Sequence, residues 1–84
     1  MNKSKYEAFL RDTNHTQKGI ISRVSRLEKI ERCFRFDIDT IIFDKVKVIN
    51  LLNEIKTLGI DSKNQNLSNA VRKYFECMTN DKIN

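Results

Sequence analysis

The sequence predicts an all-α fold, namely a compact orthogonal bundle of about four helices with a short helical turn between the second and third. The chain has no proline and only two glycines, the residues that usually mark turns and strand ends. Four stretches space their apolar residues at helical intervals. Residues 35–43 alternate partly, in the manner of a strand, but no second strand is available to pair with them.

The first helix is expected from about Ser4 to Asp12. Ser4 is placed to cap the free N–H groups of the first turn, and Glu7 follows three residues later, as in a capping box. The apolar stripe of this helix consists of Tyr6, Phe9 and Leu10. Residues 13–15 then break the helical pattern.

The second helix, capped by Thr16 or Asn14 and reaching about Phe34, has two contrasting faces. With about 100° per residue, Val24 and Leu27 lie close to the direction of Ile20 and form an apolar face. Glu31 falls on this apolar side, and the sequence offers no explanation for it. The opposite face is polar and cationic, and it consists of Lys18, Ser22, Ser25, Arg26, Lys29 and Arg32.

The second half of the chain contains the other predicted elements. A short turn near residues 37–42 is capped by Asp37 or Asp39, and the third helix runs from about Asp44 to Leu58, where Gly59 ends it. After a polar loop, the fourth helix runs from about Leu67 to Met78. Residues 79–84 are expected to be a frayed tail.

Length and composition predict one domain, residues 1–84, in the cytoplasm. No apolar run approaches the roughly 18 residues needed to span a bilayer, and the first residues show no apolar signal segment. Cys33 and Cys77 are too few for a disulfide framework, so both are expected to be free thiols. The oligomeric state is left open.

The net charge of +5 is concentrated in the first part of the chain. Residues 1–35 contain nine Lys and Arg against four Asp and Glu, whereas seven of each cancel from residue 36 onward. This asymmetry favours an anionic partner for one part of the surface.

No pattern typical of an enzyme is present, and neither a cofactor nor a metal is expected. His15 is the single histidine, and nothing places it beside Cys33 or Cys77. Asp37 and Asp39 resemble half of a calcium loop, but the glycine and glutamate that such a loop requires do not follow. Capping is the simpler interpretation of these two aspartates.

The cationic face of the second helix is the candidate site. One interpretation is a solvated surface that keeps the helix soluble. The other is contact with phosphates, because arginine forks suit phosphate oxygens and guanine edges, and the small Ser22 and Ser25 allow close approach. The aromatic residues fall mostly on apolar stripes, which favours duplex DNA over stacking on single-stranded bases.

Four segments carry a resemblance to a known family: YEAFL (6–10), TQKGIISR (16–23), RLE (26–28) and LSNAVRKYF (67–75). Together they resemble the N-terminal core-binding (SAM-like) helical domain of phage integrases and tyrosine recombinases. They are also similar to the helical modules that precede nuclease domains in bacterial defence proteins. In such domains the starts of the second and fourth helices face duplex DNA.

The resemblance implies a DNA interface made of two groups of residues. The first is Thr16, Gln17, Lys18, Ser22 and Arg26, and the second is Ser68, Asn69, Arg72 and Lys73. The cationic face adds Lys29 and Arg32. The catalytic domain of a recombinase is missing, so the chain is either a fragment or a small protein that has reused the module. In the second case, the alternative partner is a host protein or nucleoprotein complex, as for anti-CRISPR-like inhibitors of phage or mobile-element origin.

Overall fold

Four α-helices make up the fold of this computed structural model, which describes residues 1–83. They are α1 (Lys3–Asp12), α2 (Gln17–Phe34), α3 (Lys45–Leu58) and α4 (Asn66–Thr79). A single 3-10 turn, Ile38–Thr40, lies between α2 and α3. No strand occurs in residues 1–83, so the predicted all-α class with an intervening helical turn is confirmed.

Three helix ends are set by the residues that the sequence indicated. Thr16 Oγ1 accepts a hydrogen bond from the Gly19 N–H at 3.1 Å and caps α2. The Asp44 carboxylate caps α3 by accepting bonds from the two N–H groups of residues 46 and 47. Gly59, with φ of +63°, ends α3 in the left-handed conformation that glycine adopts without strain.

The start of α1 differs from the prediction. The cap is Asn2, whose side-chain oxygen accepts a bond from the Lys5 N–H at 3.2 Å, and Ser4 lies inside the helix. The Asn2 N–H in turn donates to the Tyr74 hydroxyl at 2.7 Å, which ties this cap to α4. The capping box of Ser4 and Glu7 is therefore wrong, because a tertiary contact holds an equally good cap earlier in the chain.

One apolar core joins all the elements. Phe9, from the predicted apolar stripe of the first helix, and Ile41, next to the 3-10 turn, are only partly buried and pack against its edge. Leu58, the last residue of α3, is 61% exposed. The fully buried large side chains are Tyr6, Leu10, Ile20, Leu27, Ile30, Ile38, Ile42, Val48, Ile55, Val71 and Tyr74.

The packing of α2 determines which of its faces meets solvent. α2 packs against α1 and α4, and α3 packs against α4. The ring of Tyr6 on α1 meets that of Tyr74 on α4 edge-to-face, with centroids 5.1 Å apart, and the Tyr6 hydroxyl donates to the Ala70 carbonyl at 3.1 Å. Because α1 and α4 cover the apolar side of α2, the cationic side of α2 faces outward.

The residues after α4 leave the helix, and three of them contact the rest of the protein. The Asp81 carboxylate lies 3.4 Å from Lys45 Nζ, and Lys82 Nζ lies 3.8 Å from the Glu76 carboxylate. Ile83 packs against the edge of the core. The expectation for residue 84 lies outside the described residues.

None of the helices within residues 1–83 combines the length and the apolar character needed to cross a membrane. Of the two cysteines, Cys33 is exposed and Cys77 is buried, and they do not pair with each other. Burial raises the pKa of the Cys77 thiol.

Candidate nucleic-acid interface

The α2 basic face, defined as Lys18, Ser22, Ser25, Arg26, Lys29 and Arg32, lies on the outer side of the bundle. Ile20, Val24, Leu27 and Ile30 bury the opposite side of the helix and thereby fix its rotation. Lys18, Ser25, Lys29 and Arg32 are exposed, and Ser22 and Arg26 are half-buried at the margin. The side chains that the helical pattern grouped together therefore form one surface.

Five of these six residues line a shallow depression of about 290 Å³: Ser22, Ser25, Arg26, Lys29 and Arg32. The lining thus combines two small serines with three cations. Of the carboxylates in residues 1–83, none lies within ion-pair distance of a cation of this face. The Glu28–Arg32 pair that i,i+4 spacing permits is accordingly not formed, so the charge of the face is not neutralised.

Thr16 and Gln17, at the start of α2, are both exposed. The Thr16 side-chain oxygen accepts the capping bond from Gly19, and its hydroxyl hydrogen is available for an outside acceptor. Lys18 follows on the first turn. The resemblance assigned these three residues to the interface, and all three are accessible to a partner.

The α4 residues assigned to the interface are divided by the fold. Asn69, Arg72 and Lys73 are half-buried and line an open groove between α2 and α4. Ser68, in contrast, is 6% exposed, and its hydroxyl donates to the Asp61 carboxylate at 2.7 Å. Ser68 is therefore buried and stabilises the start of α4, in contrast to the DNA contact expected of it.

Arg23 is a site residue that the sequence analysis missed. It lies in the α2–α4 groove with Asn69, Arg72 and Lys73, so it brings a cation of α2 beside the cations of α4. On a helical projection it lies about 60° from Ile20, at the boundary between the apolar and cationic faces. Arg23 and Arg26 are three residues apart, and each lines one of the two depressions. The three-residue spacing from Arg26, on the margin of the cationic face, is the sequence signal that could have assigned Arg23 to the site.

The hydroxyl groups of the two tyrosines are committed to the interior. Burial raises the pKa of Tyr6, and the nearby Arg23 guanidinium offsets only part of that effect. Burial, together with the hydrogen bond to Asp39, also raises the pKa of Tyr74. Both hydroxyls are therefore protonated at neutral pH and lie in the core, which makes them poor nucleophiles.

The candidate calcium-loop aspartates have structural partners. The Asp37 carboxylate accepts a bond from the Asp39 N–H at 3.0 Å and caps the 3-10 turn, as the simpler interpretation held. The Asp39 carboxylate accepts the Tyr74 hydroxyl hydrogen. Within residues 1–83 no group of three or more His, Cys, Asp or Glu side chains is arranged to hold a metal ion.

Comparison with known proteins finds no matching family model, no similar curated protein and no similar solved structure. The resemblance to core-binding domains therefore rests on the sequence pattern. The basis for a functional proposal is the geometry and charge of the two depressions.

Proposed function

We propose that this domain is a non-catalytic module that binds duplex DNA through the α2 basic face, joined by the start of α4. One observation carries the proposal: the four cations Lys18, Arg26, Lys29 and Arg32 share one outer helix face, and within residues 1–83 none of them has a carboxylate partner. Unpaired cations release counterions from a duplex when they bind its phosphates, and this release drives association.

The shape of the face suits a duplex backbone. Lys18 and Arg32 are fourteen residues apart, which is about 21 Å along the helix axis, so the cations follow several successive phosphates. The two small serines between them let a phosphate approach the helix closely. Among the described aromatic residues, only Phe43 is mostly exposed, and it precedes α3 and does not belong to α2. The α2 basic face thus lacks the stacking platform typical of single-strand binding.

Titration with a short duplex at several salt concentrations tests this proposal. If the face neutralises about four phosphates, the logarithm of the association constant should fall against the logarithm of salt concentration with a slope near −3.6. Fluorescence polarisation with a labelled duplex measures this slope. Binding that does not depend on salt would contradict the proposal.

The double variant Arg26→Ala, Lys29→Ala tests the face itself. It should weaken binding to every duplex sequence and reduce the magnitude of the salt slope by nearly two units. Its melting curve should stay close to that of the parent, because unpaired surface cations contribute little to stability. The matched control is Lys56→Ala, Lys63→Ala, which makes the same charge change at two exposed positions elsewhere. Equal loss of affinity in both double variants would show that only net charge matters.

A second candidate function, docking on a host protein or nucleoprotein complex, is favoured by a different surface. Phe43 and Val46 are each 67% exposed and Ile49 is 39% exposed, so the outer side of α3 presents large apolar side chains to water. Exposed apolar groups that cluster in this way are typical of protein interfaces. The absence of duplex binding even at low salt would favour this second function over the first.

A further inference from the structure

The α2–α4 groove contains two arginines, Arg23 and Arg72, each of which has one buried side-chain nitrogen without a hydrogen-bond partner in residues 1–83. Its volume is about 310 Å³, and it is lined by Arg23 from α2, by Asn69, Arg72, Lys73 and Glu76 from α4, and by Lys82 and Ile83 from the tail. Arg23 Nη1 and Arg72 Nε are shielded from solvent, and residues 1–83 provide no acceptor for either nitrogen.

The other polar groups of the groove already have partners. The Glu76 carboxylate lies 3.4 Å from Lys73 Nζ and 3.8 Å from Lys82 Nζ. The Asn69 side-chain oxygen accepts a bond from Arg72 Nη1 at 3.0 Å. The Tyr6 hydroxyl donates its hydrogen to the Ala70 carbonyl, and its oxygen lies beside Arg23, whose guanidinium offsets part of the rise that burial causes in the pKa of Tyr6. Arg23 Nη1 and Arg72 Nε are therefore the buried donors that remain without a partner in residues 1–83.

Charge and geometry together select the chemistry of a ligand. Four cations face one carboxylate across the groove, so an anion is strongly preferred over a neutral group or a cation. The planar fork of a guanidinium matches the paired oxygens of a phosphate or carboxylate, and charge-assisted bonds of this kind are strong. Two forks from different helices can contact different oxygens of one tetrahedral anion. An anion in the groove would give Arg23 Nη1 and Arg72 Nε the acceptors that they lack, while Arg72 Nη1 already donates to Asn69.

We propose that the α2–α4 groove is a binding site for a single phosphate group, held between Arg23 and Arg72 and flanked by Lys73. The phosphate comes either from a free phosphate compound or from the backbone of a nucleic acid. The site itself does not rest on the proposed DNA-binding function. If the source is duplex DNA, the groove extends the α2 basic face by one phosphate contact.

The experiment is a titration of the full chain with inorganic phosphate, followed by NMR of backbone amides and of arginine Nε–Hε groups. Sodium chloride at matched ionic strength is the control for screening. Phosphate should give saturable shifts confined to Arg23, Asn69, Arg72 and Lys73, including the Arg72 Nε–Hε signal, with half-saturation in the millimolar range. Equal shifts with chloride, or shifts spread over all surface lysines, would overturn the proposal.

Variants identify the residues responsible. Arg72→Met keeps the aliphatic stem and should weaken phosphate binding at least about tenfold, because a charge-assisted donor group is lost. The matched control Arg11→Met removes the same charge from the exposed last turn of α1 and should bind as the parent does. Glu76→Gln removes the one carboxylate of the groove and should tighten binding, which keeps the test available if Arg72→Met folds poorly. Equal affinity in all four proteins would contradict the site.

A second titration, with a short duplex, distinguishes the two sources of phosphate. If the groove takes a backbone phosphate, Arg72→Met lowers the magnitude of the salt slope by about 0.9, and inorganic phosphate competes with the duplex. If it takes a free phosphate compound, Arg72→Met and the parent bind the duplex equally. Should no form of the protein bind a duplex, the DNA-binding proposal fails, and the phosphate titration decides the groove site separately.

Discussion

Glu31 lies on the side of α2 that turns toward the core, where an unpaired carboxylate is costly to bury. Its carboxylate accepts a bond from the Ile38 N–H at 2.9 Å and lies 3.3 Å from the Met1 ammonium group. Burial lowers the pKa of that ammonium, but its hydrogen bond to Asp37 and the charges of Glu31 and Asp39 outweigh burial, and the pKa is raised. Glu31 thus links α2 to the 3-10 turn and to the residues before α1.

We expect Glu31→Ala to lower the free energy of unfolding by about 1–3 kcal/mol, since the Ile38 N–H would lose its acceptor. The matched control is Glu28→Ala, one turn earlier on the exposed side of the same helix, which should change stability by less than about 0.5 kcal/mol. Urea unfolding of both variants measures the difference. Equal stability of the two would show that the Glu31 contacts contribute nothing.

At the scale of an element, α4 shows how a helix can be capped from a distance. Gln65 at its N-terminal end makes no capping bond with its side chain. The Asp61 carboxylate takes that role by accepting bonds from the Leu67 N–H at 2.8 Å, the Ser68 N–H at 3.2 Å and the Ser68 hydroxyl. Although burial raises the pKa of Asp61, these hydrogen bonds outweigh it, and the pKa lies below its ordinary value.

Asp61→Ala should therefore cost about 0.5–2 kcal/mol of stability at neutral pH, the usual cost of removing a capping side chain. Because the pKa of Asp61 is lower in the folded protein, its contribution is present above the ordinary pKa and is lost as pH falls through the folded value. The stability difference between parent and variant should thus shrink as the pH is lowered below the ordinary pKa of an aspartate.

Thermal unfolding at several pH values checks this prediction for Asp61. The control is Asp12→Ala, which removes an exposed aspartate at the end of α1 and should show no comparable loss at neutral pH. A stability difference for Asp61→Ala that grows on acidification would contradict the capping role.

At the scale of the whole molecule, the packing of the helices determines where the charged side chains lie as well as which apolar side chains are buried. The buried stripe of α2 meets α1 and α4, so the cations of α2 are left on one outer surface, and Arg23 is turned toward α4. A separate stretch, at the start of α3, carries the exposed apolar residues Phe43 and Val46. One small core thus supports two chemically different surfaces, and each suits a different class of partner.

The integrity of this single core should not depend on a disulfide. Cys33 is exposed on α2 and Cys77 is buried on α4, and neither thiol pairs with the other. We expect the unfolding midpoint to be the same with and without reductant, and Cys33→Ser should bind any ligand within a few-fold of the parent. A large loss of stability on reduction would instead indicate an obligatory disulfide.

The sequence by itself determined the elements whose causes are local. Apolar spacing placed α2, α3 and α4 to within one or two residues, and Thr16, Asp44 and Gly59 set ends because capping depends on groups a few residues away. The same periodicity grouped the six residues of the α2 basic face. The proposed DNA contact of that face stays a prediction.

Only the tertiary structure decided the features that join residues far apart in the chain. Asn2 caps α1 while its N–H is held by Tyr74, Glu31 meets the turn at Ile38, and Ser68 turns inward to Asp61. Arg23 and Arg72 meet in one groove because α2 and α4 pack together. Helical periodicity gives the direction of a side chain about its own axis but not which helix lies opposite, so these pairings depend on how the whole chain buries its apolar surface.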